Sequence, residues 1–299
     1  MLSFAGIDTK PIKCYTVIQR HSDLRFGRKG AKTVIFLVII LILAVSFAVY
    51  ATVATNLLTV REDTVSFSSL PDGADGMKIV LLTDIHDRDM NRRLTKKIKE
   101  LCPDMIAICG DVHDRGKRRT PFFRLVKSLS RICPVYFVRG NHDPFVSDTF
   151  FYKRLRDYGV HILENDSEEF RGMTVYGIGF NNEPPEFGEG FSVLLAHDPD
   201  IFDGLFGKPD LMLSGHIHGG FVELPFVGGL FRPRGGRSLL ALFRRDAYLP
   251  KYYKGVYSEK GKKLVVSRGV GCSGVPFRLL PPEINVITLR KTRKEDRSR

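Results

Sequence analysis

The sequence predicts an α/β domain preceded by a single apolar helix, and two observations support this prediction. One uncharged, strongly apolar stretch runs from Thr33 to Leu58. Further along the chain, short apolar runs alternate with longer segments rich in Leu, Lys and Arg. Such runs suit strands that are buried on both faces of a sheet, and the longer segments suit helices that cover the sheet.

The apolar stretch 33–58 is long enough to be a transmembrane anchor. Roughly 20 apolar residues span a bilayer as a helix, because a helix satisfies its backbone hydrogen bonds internally. Two alternatives stay open, namely a buried helix of a soluble domain and a cleaved signal peptide with Ala54 as a candidate cleavage position. The signal-peptide alternative is weaker, because signal h-regions are only about 7–15 residues long.

The charges that flank this stretch predict its orientation. Arg61 stands alone just after it, whereas four basic residues lie just before it: Arg25, Arg28, Lys29 and Lys32. By the positive-inside rule, residues 1–32 form a cytoplasmic basic tail, and the bulk of this single-pass protein of the cell membrane lies outside the cytoplasm. The alternating segment 64–68 resembles an edge strand, so we expect folding to resume within about five residues of the span.

The formal net charge of +13 does not by itself indicate a nucleic-acid-binding protein. The tails 1–32 and 290–299 contribute nine of these charges, and basic tails are usually solvated or bind membrane surfaces. No nucleic acid partner is therefore expected. The five cysteines never form a Cys-x-x-Cys pair, which argues against a disulfide framework and against a thiolate zinc site.

Residues 59–289 contain no internal repeat and no low-complexity linker, which predicts one domain followed by a basic C-terminal tail at 290–299. The segments Asn91–Leu101 and Thr120–Arg131 are predicted helices. Five apolar runs end in polar clusters, which is where the functional loops of α/β folds gather. These clusters are Thr83–His86, Gly110–Asp111, Arg139–Asp143, His197–Asp198 and Ser214–His218.

The clusters supply carboxylate, amide and imidazole side chains, which are suitable ligands for a pair of divalent ions. The candidate ligands are Asp84, His86, Asp111, Asn141, His197, His216 and His218. Taken singly, an Asp after a strand is usually a turn or helix cap, and a His in an apolar stretch is usually a core residue. Because five separate strand ends offer such ligands, the set as a whole predicts a metal site.

The ordered motifs at these strand ends resemble those of the calcineurin-like metallophosphoesterase superfamily. The motifs are Asp84-Ile-His86, Gly110-Asp111 followed by Asp114, Gly140-Asn-His-Asp143, His197 and Gly215-His-Ile-His218. The resemblance runs from about residue 77 to 289, and the stretches 194–200, 214–220, 266–271 and 281–287 resemble a bacterial branch with an N-terminal membrane segment. It implies a two-sheet β-sandwich flanked by helices, and an enzyme that hydrolyses phosphate esters.

The resemblance also implies a role for each motif residue. One metal would be held by Asp84, His86, Asp111 and His218, and the other by Asp111, Asn141, His197 and His216. The two divalent ions (Mn²⁺, Fe²⁺ or Zn²⁺) would share a bridging hydroxide and neutralise the phosphoryl oxygens. His142 would lie beside the leaving group as a proton donor or a hydrogen-bond donor, with a structural role in its loop as the alternative.

The resemblance also bears on three of the residues that follow Asp111, namely His113, Asp114 and Arg115. Asp114 would orient the catalytic His, and Arg115 would clamp a phosphate oxygen. The alternatives are a helix cap for Asp114 and a solvated side chain for Arg115. His113 stands where the family usually has an apolar residue, so we expect it either to tune the site or to point outward.

Two stretches bear on the substrate. Basic residues at 115–119 would attract an anion. The segment Phe221–Phe231 interleaves Gly and Pro with large apolar residues, which does not suit a regular strand. It is either core packing under a loop or an apolar lip that contacts lipid or an acyl chain. The expected substrate is a phosphodiester, a phosphomonoester or a lipid-linked pyrophosphate at the membrane surface.

Two other classes of protein remain as alternatives. A scaffold that kept the fold without catalysis would be expected to have lost some of the ligands or His142, and none of them is missing from the sequence. A nuclease would need basic residues across its catalytic face and a cytoplasmic location. The charge distribution and the predicted orientation both disfavour a nuclease.

Overall fold

The computed structural model describes residues 15–114, 119–205, 209–224, 228–229, 250–272 and 277–292. The chain divides into two compact units, Met1–Tyr50 and Ala51–Arg299. The helices are α1 (Tyr15–Asn56), α2 (Asn91–Leu101), α3 (Thr120–Leu129) and α4 (Thr149–Asp157). Short 3-10 turns cover Asp72–Ala74, Pro199–Gly204 and His218–Gly220.

Helix α1 contains the apolar stretch. Its part Gly30–Asn56 has a mean hydropathy of 3.1, and it is long and apolar enough to cross a membrane. The apolar side chains are exposed, with Leu41 at 62% and Leu43 at 63%, whereas a helix on the surface of a soluble domain would bury one apolar stripe. The helix extends further towards the N-terminus than the predicted span, because it begins at Tyr15.

In the part of the chain that the structure describes, fourteen strands follow the helix. They are β1 (Thr59–Phe67), β2 (Lys78–Leu82), β3 (Met105–Cys109), β4 (Val135–Val138), β5 (Val160–Ile162), β6 (Asp166–Phe170), β7 (Met173–Ile178), β8 (Phe191–Ala196), β9 (Leu211–Ser214), β10 (Glu223–Leu224), β11 (Gly228–Gly229), β12 (Gly255–Glu259), β13 (Lys262–Val266) and β14 (Glu283–Lys291). The first strand is an edge strand, as predicted, but it begins at Thr59 instead of near Thr64.

These strands form two six-stranded sheets and one small hairpin. The first sheet has the order β1-β14-β2-β3-β4-β5, and the second has the order β12-β13-β9-β8-β7-β6. Strands β2 to β5 run parallel to one another, as do β7, β8, β9 and β13. The hairpin pairs β10 with β11, so the segment Phe221–Phe231, expected to lack regular strands, contains two very short ones.

Strand β2 shows why the apolar runs are continuous. Its side chains alternate between the two faces, as in any strand. Ile79 and Leu81 belong to the core between the two sheets, which Leu213 of the second sheet also joins. Val80 and Leu82 face a separate core that contains apolar residues of α2, α3 and α4. Both faces are buried, which confirms the predicted two-sheet sandwich flanked by helices.

The parallel strands bring the polar clusters to one edge of the sandwich. Strands β2, β3 and β4 are neighbours, so their carboxyl ends lie side by side. Backbone hydrogen bonds join the loops that follow: Asp84 N–H donates to Gly110 O at 3.0 Å, and His86 N–H donates to Asp111 O at 3.0 Å. In the second sheet, Gly215 N–H donates to His197 O at 3.1 Å. The candidate ligands therefore come from both sheets.

Candidate metal centre

The predicted ligands gather in two groups. In the first, one ligand atom from each of Asp84, His86 and His218 lies within 4.8 Å of the others. The same is true of Asp111, His197 and His216 in the second group. Each group combines one carboxylate with two imidazoles, which is a suitable donor set for a borderline divalent ion.

Asp111 lies between the two groups. Its Oδ2 is 3.3 Å from Nε2 of His197 in its own group. The same oxygen is 3.9 Å from Nε2 of His86 in the other group. A single carboxylate thus faces ligands of both groups, whereas the other carboxylate, Asp84, contacts imidazoles of the first group through its Oδ1.

Asn141 completes the second group. Its Oδ1 is 3.1 Å from Nε2 of His197, and Nδ1 of His216 is 3.0 Å from the same nitrogen. The other ring nitrogen of His197, Nδ1, is 2.8 Å from the carbonyl oxygen of Cys109. A carbonyl only accepts, so Nδ1 carries a hydrogen, and Nε2 is the ring nitrogen that faces the centre of the group and would bind a metal once it has lost its proton.

The backbone is strained where it presents these ligands. Five of the candidate ligands have a positive φ, between 49° and 73°: Asp84, His86, Asp111, His216 and His218. Residues other than glycine rarely adopt this left-handed conformation. Such strain persists only where the surrounding structure imposes it, and it is concentrated at functional sites.

Two glycines of the motifs allow the loops to approach each other closely. A Cβ on Gly140 would lie 2.3 Å from Oδ1 and 2.4 Å from the backbone nitrogen of Asp111. A Cβ on Gly110, which has a φ of +78°, would lie 2.6 Å from the backbone nitrogen of Gly140. Any larger residue at either position would push the Asp111 loop away from Asn141.

Several buried polar atoms in the first group have no hydrogen-bond partner among the residues that the structure describes. They are Oδ1 of Asp84 and both ring nitrogens of His86. Both side chains are fully buried, and an unsatisfied buried polar group costs about 1–3 kcal/mol. A cation coordinated by Asp84 Oδ1 and one nitrogen of His86 would satisfy two of these three atoms, so the residues present fit a metal.

Burial also sets the protonation of this group. It lowers the pKa of His86 to about 4 and lowers that of His218 well below its ordinary value. Both imidazoles are therefore neutral near pH 7, which is the form that binds a metal. In the second group, burial disfavours the charged forms of Asp111 and His197, but the attraction between the two side chains outweighs it. The pKa of the Asp111 carboxyl is therefore lowered, and that of the His197 imidazole is raised to about 10.

His142 lies at the rim of the first group. Its ring centroid is 5.1 Å from that of His86, and its side chain is 28% exposed. Nδ1 of His142 is 3.2 Å from Oδ1 of Asp114, while its backbone N–H donates to Oδ1 of Asp111 at 2.8 Å. The carboxylate of Asp114 can only accept when ionised, so Nδ1 carries the hydrogen and Nε2 is available for chemistry.

The comparison with known families agrees with this geometry. Residues 77–220 match the family model described as calcineurin-like phosphoesterase. The chain belongs to this family. As a calcineurin-like phosphoesterase it is a hydrolase that acts on phosphoric ester bonds.

Three relatives illustrate the range of the family. The metallophosphoesterase YkuE of Bacillus subtilis is 29% identical over 275 residues, which cover 79% of this chain and 87% of YkuE. The phosphodiesterase YaeI of Escherichia coli is 28% identical over 240 residues, covering 73% and 84%. A transmembrane protein with a metallophosphoesterase domain from Danio rerio is 30% identical over 245 residues, covering 67% of this chain and 55% of that protein.

Sequence reasoning missed Asp143 as part of the phosphoesterase site. Its buried carboxylate accepts from four backbone N–H groups of the loops that follow β3 and β4, at distances between 2.8 and 3.0 Å. The donors are Asp111, Val112, His113 and Gly140. Asp143 therefore fixes the loop of Asp111 to the loop of Asn141 and His142. Its place in the Gly-Asn-His-Asp motif was the available signal.

A second carboxylate, Asp87, holds the far end of the Asp111 loop. Its Oδ2 accepts from the backbone N–H of Asp114 at 3.0 Å and also contacts Nδ1 of His113. His113 is 5% exposed. It therefore does not point outward, which was one of the two expectations from the sequence. Its partner Asp87 follows His86 directly, and no sequence pattern linked the two.

Phe180 packs against the second group from the side. Its ring centroid is 5.9 Å from that of His197 and 5.7 Å from that of His216. Arg139, which precedes the Gly-Asn-His-Asp motif, donates to Phe180 O at 2.8 Å and to Oε1 of Glu164 at 3.1 Å. These contacts connect the His197 and His216 rings with the loop that carries Asn141.

Two predicted features fall wholly or partly outside the described residues. Arg115 lies outside them, as do 116–118 of the basic stretch. Of the apolar segment Phe221–Phe231, only residues 221–224 and 228–229 are described. Within that part, the ring centroid of Phe221 is 5.3 Å from that of His218.

Proposed function

We propose that this phosphoesterase uses two divalent metal ions that share Asp111. The observation that carries the proposal is the position of Asp111 Oδ2, which faces His197 of one ligand group and His86 of the other. A shared carboxylate sets the separation of two metal ions, which is about 3.5–4 Å in dinuclear hydrolases. The buried, unpartnered atoms of Asp84 and His86 support the same proposal.

The proposed ligands follow the two groups. The first ion would be held by Asp84, His86, Asp111 and His218, and the second by Asp111, Asn141, His197 and His216. When bound, two such ions supply a nucleophile derived from water at neutral pH and neutralise the charge of the phosphoryl group. Mn²⁺, Fe²⁺ and Zn²⁺ all suit a donor set of carboxylate, amide and imidazole.

Residues of the protein itself would supply the proton for the leaving group. His142 lies at the exposed rim, where a ring that carries hydrogen on both nitrogens can donate from Nε2 to the oxygen that leaves the phosphorus atom. Asp114 accepts from Nδ1 and thereby holds the ring in place. Arg115 is proposed to bind a phosphate oxygen, which is a proposal from the sequence alone.

We further propose that the catalytic domain, residues 59–289, works at the outer face of the cell membrane on a lipid-linked phosphate ester. The exposed apolar helix supports anchoring, and the basic residues before it support an outward orientation. A site tethered to a bilayer meets lipid head groups at high effective concentration. The name of the Danio rerio relative, a transmembrane protein, agrees with anchoring.

Hydrolysis of aryl phosphates by the purified full chain tests the catalytic proposal. Aryl phosphodiesters and phosphomonoesters would be compared with Mn²⁺, after removal of metal by a chelator, and after metal is restored. We expect turnover that is lost with the metal and recovered with it. Turnover that the chelator leaves unchanged while metal content falls to zero would contradict the proposal.

The substrate proposal needs a separate comparison. A long-chain and a short-chain, water-soluble version of one phosphorylated head group would be offered to the full chain in lipid vesicles. We expect the long-chain version to be hydrolysed faster, because it shares the bilayer with the enzyme. Equal rates on both versions would reject a lipid-linked substrate and leave the dinuclear proposal intact.

A further inference from the structure

Three large apolar side chains are exposed just beyond the catalytic motif. Phe145, Val146 and Phe150 are 66%, 46% and 59% exposed. They lie in the loop that follows His142 and in the first turn of α4. Scattered exposed apolar residues are common, but an exposed cluster beside a site marks an interaction surface. We refer to residues 144–150 as the aromatic loop.

The aromatic loop is held in a defined conformation. Asp148 N–H donates to Phe145 O at 2.8 Å, and Asp148 Oδ1 accepts from Phe151 N–H at 3.0 Å, which caps α4. The hydroxyl of Tyr152 donates to Pro144 O at 2.9 Å. The backbone of the loop is therefore fixed at both ends, so the exposed phenyl rings belong to a loop of defined conformation.

A guanidinium group lies near each of the two exposed phenyl rings. The guanidinium of Arg139 lies 5.7 Å from the ring centroid of Phe145, and that of Arg154 lies 5.5 Å from the centroid of Phe150. Within α4, the exposed residues Lys153, Arg154 and Arg156 outnumber the single acid Asp157. Aromatic side chains flanked by basic residues suit the boundary between acyl chains and anionic head groups.

The end of the apolar helix lies at the same edge of the sandwich. Residues 51–56 of α1 belong to the same compact unit as the catalytic strands. Arg88, in the loop after β2, donates to Thr55 O at 2.5 Å and to Val270 O at 3.0 Å. Arg93 contacts the carbonyl of Asn56. The aromatic loop follows β4, which is two strands from β2 in the same sheet, so both features lie at the carboxyl ends of the parallel strands.

We propose that the aromatic loop and the first turns of α4 bind the surface of the bilayer that holds the apolar helix, with anionic lipid as the partner. This proposal rests on the membrane anchoring proposed above. The loop begins two residues after His142, so its insertion holds the catalytic rim at the level of the head groups. The enzyme would then act on phosphate esters in the membrane plane.

The sequence offers a clean spectroscopic test, because the chain contains no tryptophan. The full-length Phe145→Trp variant would be reconstituted in anionic vesicles whose acyl chains carry bromine, and its fluorescence would be compared with that in unbrominated vesicles. We expect the bromolipid to remove about half of the emission, since an interfacial aromatic lies about 5–10 Å deep at the acyl boundary.

Phe170→Trp is the matched control. Phe170 ends β6, and its neighbour Arg171 pairs with Asp104, the residue before β3, at 2.8 Å. This turn therefore lies at the amino ends of the parallel strands, on the side of the domain away from the site. We expect its emission to be unchanged by bromolipid. Phe150→Trp gives a second reporter within the aromatic loop.

The outcomes separate this proposal from those on catalysis. If neither Phe145→Trp nor Phe150→Trp is quenched while flotation shows the chain on the vesicles, contact of the aromatic loop with the bilayer is rejected. The exposed rings would then bind another partner, such as a second copy of the chain. If the chain does not float with the vesicles, both the anchoring and this proposal are rejected. Strong quenching without hydrolysis would reject only the catalytic proposal. Normal metal content in each variant would show that it is folded.

Discussion

Oδ1 of Asp114 lies 3.2 Å from Nδ1 of His142, so a carboxylate supports the imidazole proposed to protonate the leaving group. We expect Asp114→Asn to lower kcat by about 10–100-fold while metal content stays unchanged, because a neutral amide supports a doubly protonated imidazole less well than a carboxylate does. Steady-state kinetics beside elemental analysis would measure both. Asp157→Asn, an exposed acid at the end of α4, is the control.

The same pair can be examined by a double-mutant cycle. If Asp114 acts only through His142, adding Asp114→Asn to His142→Ala should cause almost no additional loss of kcat. Fully additive losses would show that Asp114 has an independent role.

His142 itself should act only on the chemical step. We expect His142→Ala to keep its metals and to lose about 10²–10⁴-fold in turnover, the usual contribution of a positioned general acid. The loss should shrink for aryl phosphates with very good leaving groups, which need no proton. An equal loss for good and poor leaving groups would count against proton donation and favour stabilisation of charge.

Asp143 should matter for stability more than its exposed neighbours do. Its replacement by Ala leaves four buried backbone N–H groups without their acceptor. We expect Asp143→Ala to lower the free energy of unfolding by at least about 2 kcal/mol, since each unsatisfied buried group costs about 1–3 kcal/mol. Denaturant unfolding of the metal-free chain would measure this, with Asp157→Ala as the exposed control. A change within about 0.5 kcal/mol would contradict the proposed role.

The orientation in the membrane is open to a direct test. Seven basic residues lie within 1–32, and Arg61 stands alone just after the span. We expect a reporter fused after Arg299 to lie outside the cytoplasm, because basic flanks remain inside. A reporter that is active only in the cytoplasm should give no signal when it is fused after Arg299. A strong signal from that fusion would show that the orientation is the reverse of the predicted one.

The sequence predicted where the candidate ligands would gather, because each of the strands that precede them ends in a polar cluster. Helix α2 was predicted with the bounds that the structure gives, Asn91–Leu101. The seven candidate ligands lie close together, because the strands of both sheets that precede them end at the same edge of the sandwich. What the sequence could not predict are contacts between side chains far apart in the chain. Asp87 with His113 and Arg88 with Thr55 are examples, because no local periodicity records them.

The sequence also contained no signal for the exposure of Phe145, because an apolar residue in a loop can be either buried or exposed. The tether was overestimated for a related reason. Regular structure was expected to resume near Thr64, about five residues after the span, yet β1 begins at Thr59 and pairs with β14 through Arg61, Glu62 and Asp63. An edge strand tolerates charged side chains on its open face.

The number of metal ions bound by Asp111→Asn tests the central claim most directly. If Asp111 is shared by two ions, the wild-type chain should hold about two Mn²⁺ per chain. Asp111→Asn should lose more metal and more turnover than Asn141→Ala, which removes a ligand of one ion only. Elemental analysis of the three proteins, purified in parallel, would decide the matter. An Asp111→Asn variant that keeps two metals per chain and full activity would contradict the shared-carboxylate account.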